Sequence, residues 1–156
     1  MISFYPKVTE THLIEASQNL LHKNFQTYIK PIKEKGNDND SKTFLFNGAW
    51  NNEGFSISLK LKIANNFIPL IQGKYLESDQ GILMSLTYEM FPATKKLLAF
   101  WTIITLLITI FFVVFYQAWI YGAISLGFCI VNYVLSRENF KIQVRKSKRM
   151  LEKVLS

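Results

Sequence analysis

A chain of 156 residues, 49% hydrophobic and 19% charged, leaves room for one small globular unit beside any membrane segment. Its net charge of +7 would suit nucleic acid if spread over a folded surface, but residues 1–94 hold nine lysines against nine acids and are neutral. Nucleic acid is therefore not expected as a partner, and the single cysteine, Cys129, excludes an intrachain disulfide or a thiolate cluster.

In chain order, a short strand is expected over residues 2–8. A helix follows from near Thr9, capped by Thr9 or Thr11 and helped by Glu10 in its first turn. Leu13, Ile14, Ser17, Leu20, Leu21, Phe25, Tyr28 and Ile32 keep the spacing of an amphipathic helix laid on a sheet or a membrane surface. Pro31 ends it, and residues 33–42, charged and without apolar side chains, read as a loop. The N-terminal residues lack the apolar core of a secretory signal, so residues 1–94 are expected to stay in the cytoplasm.

From residue 43 to 90 the period changes to two. Phe44, Phe46 and Trp50 alternate in a first strand, and Phe55, Ile57, Leu59, Leu61 and Ile63 in a second. A third spans 67–76, and Ile82, Met84, Leu86, Tyr88 and Met90 alternate in a fourth. Short Asn- and Gly-containing connections make an antiparallel meander the simplest topology. Pro69 places the third strand at an edge or a bulge, and Gly73 marks a second irregularity.

Residues 97–136 contain no Asp, Glu, Lys or Arg. One continuous helix of that length would be about 60 Å long, twice a bilayer's hydrocarbon core, so the stretch reads as two spans, about 97–116 and 118–136. The turn falls at Tyr116, Gln117, Ala118 and Trp119, which suit the far interface. Lys95 and Lys96 precede the first span; Arg137, Lys141, Arg145, Lys146, Lys148, Arg149 and Lys153 follow the second. All net positive charge thus flanks one end of the hairpin, the positive-inside pattern for both termini in the cytoplasm. The tail, 137–156, is a basic amphipathic helix. Its cations suit anionic lipid, and its apolar stripe could equally pack on the soluble domain.

Within the second span Ala118, Gly122, Ser125, Cys129 and Asn132 form a seam of small and weakly polar residues; Thr102, Thr105 and Thr109 share a face of the first. The two seams pack the hairpin on itself or face another subunit. His12 and His22, ten residues apart on the expected helix, cannot share a metal. Asp38 and Asp40 resemble the start of a calcium loop that lacks its Gly and closing Glu. There is no phosphate loop, zinc spacing, nucleophile elbow or placed carboxylate pair, so no catalytic residue and no cofactor is expected. Trp50, Phe55 and Phe67 are candidates for lining a concavity, or simply core.

Phe46, Gly48 and Trp50, then Gly54, Phe55 and Ile57, then Asn65 or Asn66 with Phe67, Pro69, Ile71, Gly73 and Lys74, resemble small bacterial membrane proteins of no known activity, with a β-rich cytoplasmic region before two spans. The resemblance implies architecture alone. The expectation is an α+β domain over 1–94, an N-terminal helix on an antiparallel sheet of four or five strands, then the hairpin over 95–136 and the tail. The expected function is that of a non-enzymatic inner-membrane protein whose domain binds a protein partner or lipid headgroup, as an accessory subunit or homo-oligomer. A ligand pocket under the sheet is the alternative, and an unrecognised membrane enzyme a second.

Overall fold

The computed structural model describes residues 5–14, 18–31, 44–51, 53–61, 65–78 and 81–155. The expected loop at 33–42, with Asp38 and Asp40, lies outside them. Alternating sequence builds strands β1 (Lys7–Ile14), β2 (Ile29–Pro31), β3 (Phe46–Trp50), β4 (Gly54–Leu59), β5 (Pro69–Ser78) and β6 (Gly81–Met90). Helix α1 (Gln18–Tyr28) links β1 to β2, and α2 (Pro92–Val114) and α3 (Trp119–Leu155) follow the sheet. The chain is α+β, a six-stranded sheet in the order β1-β6-β5-β4-β3-β2 with two long apolar helices at its C-terminal end.

Strands β3 to β6 form the expected antiparallel meander. The short strand expected over 2–8, of which residues 2–4 lie outside the described residues, overlaps β1 only at Lys7 and Val8, and β2 was not expected. β2 pairs in parallel with β3, and β1 pairs antiparallel with β6 along its full length, from Lys7 opposite Glu89 to Ile14 opposite Ile82. The helix expected from Thr9 is therefore not there. Val8, Thr9 and Thr11 are β-branched, and β6 offers a ladder along the whole segment, so long-range pairing overrides a helical spacing that is real only for α1. α1 contacts α3 and β2; its Phe25 meets the Phe55 ring edge-on at 5.0 Å. The Asn24 side-chain amide donates to the Val154 carbonyl at 3.0 Å, satisfying an end-of-helix acceptor of α3.

Pro69 also corrects its expectation. β5 is an interior strand, between β4 and β6, and tolerates the proline because it is the first residue, where a missing N–H costs least. Gly73 lies in regular register between Phe55 and Leu86. A Cβ there would stand 2.2 Å from the Phe55 ring, so the glycine makes room for an aromatic across the strand.

What covers the sheet is the C-terminal part of α3. Phe140, Val144, Leu151 and Val154 are buried in one cluster with Ile57 of β4, Ile71 of β5 and Met84, Leu86 and Tyr88 of β6. Of the two readings of the tail's apolar stripe, packing on the sheet is realised. α3 is a single helix of 37 residues, about 55 Å at 1.5 Å per residue. Its first half is apolar and its second half is a wall of the domain core. α2 is fixed to the sheet as directly: Pro92 is its first residue, the Thr94 hydroxyl donates to the Asn66 carbonyl at 2.6 Å, and Lys95 pairs with Glu89 at 2.8 Å.

Candidate functional site

Residues paired across a ladder share a face, so the partners of Tyr88, Leu86 and Met84 on β1 (Val8, Glu10 and His12) point to the covered side of the sheet. Two of these three are polar. At the β1 edge the core therefore gives way to a cleft of about 820 Å³ between β1, β6 and the end of α3. Leu86, Tyr88, Leu151 and Leu155 supply its apolar surface, and Glu10, His12, Lys148 and Glu152 its polar groups.

These groups are coupled. Lys148 Nζ donates to Glu10 Oε1, joining α3 to β1, and stands 5.8 Å from the centre of the Tyr88 ring. His12 Nε2 lies 3.6 Å from the other Glu10 oxygen. Tyr88 is 1% exposed. Burial, and then the negative charges of Glu10 and Glu152, push its hydroxyl well above the ordinary tyrosine range. Burial does the same to Tyr75 on β5.

These two shifts set an alkaline limit. A group that holds its proton more tightly when folded stabilises the fold fully below its unfolded pKa, near 10 for tyrosine. That contribution is lost as pH rises from there toward the folded value. Thermal melts from pH 8 to 11.5 are expected to be flat to about pH 10 and then to fall. Tyr88→Phe should flatten the fall, and an equally steep fall in that variant would contradict the assignment.

Sequence reading missed this cleft because it assigned Glu10 and His12 to a helix. The available signal was the β-branching of Val8, Thr9 and Thr11, which favours a strand and would place Glu10 and His12 on one face. His12 and His22 lie on different elements, β1 and α1, rather than on one helix. Among the described residues no group of three or more His, Cys, Asp or Glu side chains stands close enough to hold a metal. Trp50 and Phe55 line a smaller hollow of about 260 Å³ with Asn51 and Gly54, and Phe67 is not part of it.

α2 and α3 pack antiparallel after a turn in which Gln117 takes a left-handed φ of 49°. The hydroxyls of Thr102, Thr105 and Thr109 each donate back within α2, to Leu98, Trp101 and Thr105. Ser125 donates across to the Thr105 carbonyl at 3.2 Å. Gly122 is buried, and a Cβ there would stand 2.5 Å from Val113, so it gives α2 close approach. Ala118, Cys129 and Asn132 are half-buried on the same side of α3.

The cations expected to meet lipid divide. Lys95 and Lys148 are engaged by Glu89 and Glu10, and Lys141 by Glu138, whose carboxyl is held below its usual range by that hydrogen bond. Lys96, Arg137, Arg145, Lys146 and Arg149 are exposed.

The fold and the cleft define a sheet domain carried on two helices long and apolar enough to cross a membrane. No protein-family model matches the chain, and neither a curated protein nor a solved structure is similar to it.

Proposed function

We propose that this chain is a non-enzymatic inner-membrane protein with two spans and both termini in the cytoplasm, whose sheet domain binds a cytoplasmic partner or ligand at a fixed height above the bilayer. The observation that carries this reading is α3, which runs unbroken from an apolar segment with exposed Ile120, Ile124, Phe128, Val131 and Leu135 into the buried core of the domain. Lipid is the environment in which such exposed apolar surface is stable. The charge asymmetry supplies the orientation, since Lys95, Lys96 and Arg137 stand at one end and no charge lies at the Gln117 turn.

Helix geometry also narrows the contacts with lipid. Arg149 lies about 20 Å beyond Ser136 along α3, more than two Debye lengths of about 8 Å, whereas Lys96, Arg137 and Lys141 lie within one or two turns of the apolar segments. Of these, the exposed Lys96 and Arg137 are the anionic-lipid contacts, and Lys141 is held by Glu138. Arg145, Lys146 and Arg149 face the cytoplasm. Satisfaction of the threonine hydroxyls within α2 favours the seam as packing of the hairpin on itself rather than a subunit interface.

Thiol labelling tests the orientation. In a Cys129→Ser background, Gln117→Cys is expected to react with an impermeant maleimide from outside intact cells, and Ser156→Cys only after permeabilisation. The reverse pattern would contradict it.

A further inference from the structure

We propose that the cleft between β1 and α3 is a binding site for a primary ammonium group on a short aliphatic chain, and that Lys148 of the chain itself is seated where the ligand's ammonium goes. The inference rests on the cytoplasmic placement of the domain only for the source of the ligand. Three features carry it. The chain's own ammonium already sits against the Glu10 carboxylate and over the Tyr88 ring, so the seat is built for that group. The cleft carries two carboxylates, Glu10 and Glu152, against one lysine, so a second cation is favoured there and an anion repelled. Leu86, Leu151 and Leu155 offer apolar surface beside the seat, and the volume of about 820 Å³ holds a small molecule comfortably.

Lys148 also has an alternative partner. Glu152 stands four residues further along α3, the spacing at which a lysine and a glutamate meet on one helix face. A ligand ammonium takes the place between Glu10 and Tyr88 while Lys148 turns to Glu152, so no charge is stranded. The ligand approaches from the cytoplasm rather than from the bilayer, because the α3 residues of the cleft, Lys148 to Leu155, lie about 18–28 Å beyond Ser136.

Calorimetric titration of the full chain in lipid nanodiscs with pentylammonium and with pentanoate, against empty nanodiscs, tests this. Saturable binding of pentylammonium is expected, at least tenfold tighter than any binding of pentanoate. Lys148→Met, which removes the tethered competitor, should tighten pentylammonium binding at least threefold. Glu152→Gln, an exposed change, should weaken it by a similar factor. Circular dichroism of both variants establishes that they are folded. Absence of saturable pentylammonium binding in the wild type and in folded Lys148→Met overturns the proposal, as does pentanoate binding as tightly. A blocked lysine, Nα-acetyl-lysine methylamide, distinguishes the sources: equal affinity assigns the ammonium to a protein side chain, and much weaker affinity to a free amine. Reversed thiol labelling would move the site outside without affecting these affinities, so the two readings fail separately.

Discussion

Phe140→Ala is expected to cost the domain about 3–5 kcal/mol, the range for emptying a buried aromatic site. Phe140 is fully buried, at 0% exposure, one turn beyond Ser136, where α3 passes from the apolar segment into the core. The cavity would open between α3 and the sheet, the contact that holds the domain to its helices. Thermal unfolding followed by tyrosine and tryptophan fluorescence should show a midpoint lowered by roughly 10 °C, with the helical signal of the two apolar helices retained. Ile142, two residues on, is 40% exposed and should tolerate alanine within about 0.5 kcal/mol. Equal sensitivity at the two positions would mean that α3 does not pack as described.

Gly48→Ala is the second large effect. Gly48 is buried in β3 opposite Ile57, and a Cβ there would stand 2.3 Å from the Ser56 carbonyl oxygen and 2.7 Å from the Ile57 Cα. Both obstacles are backbone, so β3 and β4 must separate. A loss of about 3 kcal/mol, the upper part of the overpacking range, is expected. Gly127→Ala is the control, because a Cβ at that position in α3 meets nothing within 4 Å. There alanine should leave the stability of the sheet domain within about 0.5 kcal/mol, because the apolar part of α3 stays helical when the domain unfolds. Denaturant titrations should show a lowered midpoint for Gly48→Ala and an unchanged one for Gly127→Ala.

The middle of the fold was legible in sequence because period-two alternation is imposed by the pleat itself. Phe55, Ile57 and Leu59, and Met84, Leu86, Tyr88 and Met90, are buried as their spacing required. The paired apolar helices were legible from the uncharged run, though α2 starts at Pro92, before the lysine pair, since proline suits a first helical turn. Of the N-terminal strand, only Lys7 and Val8 fall within the strand expected over 2–8, and the rest was not legible. Its residues carry a helical apolar spacing, and the ladder that decides the matter lies about seventy to eighty residues away, on β6. The cleft was hidden for the same reason, since Glu10 and Lys148 are 138 residues apart in sequence. Proline's missing donor suits an edge, a bulge or the first position of an interior strand, and spacing alone does not tell that β5 uses the last.

In the reading proposed above, α3 is one rigid piece, an apolar segment at one end and a wall of the domain core at the other. Spin labels at Ile124→Cys and Arg149→Cys, both on the exposed side of α3, test it in lipid nanodiscs with Cys129→Ser. Twenty-five residues of uninterrupted helix put the two Cα atoms about 37 Å apart at 1.5 Å per residue. A pulsed dipolar measurement is expected to give a single narrow distribution near that value. A broad distribution, or a main peak shorter by 10 Å or more, would mean that the helix breaks between its apolar segment and the core, and would contradict a rigid α3.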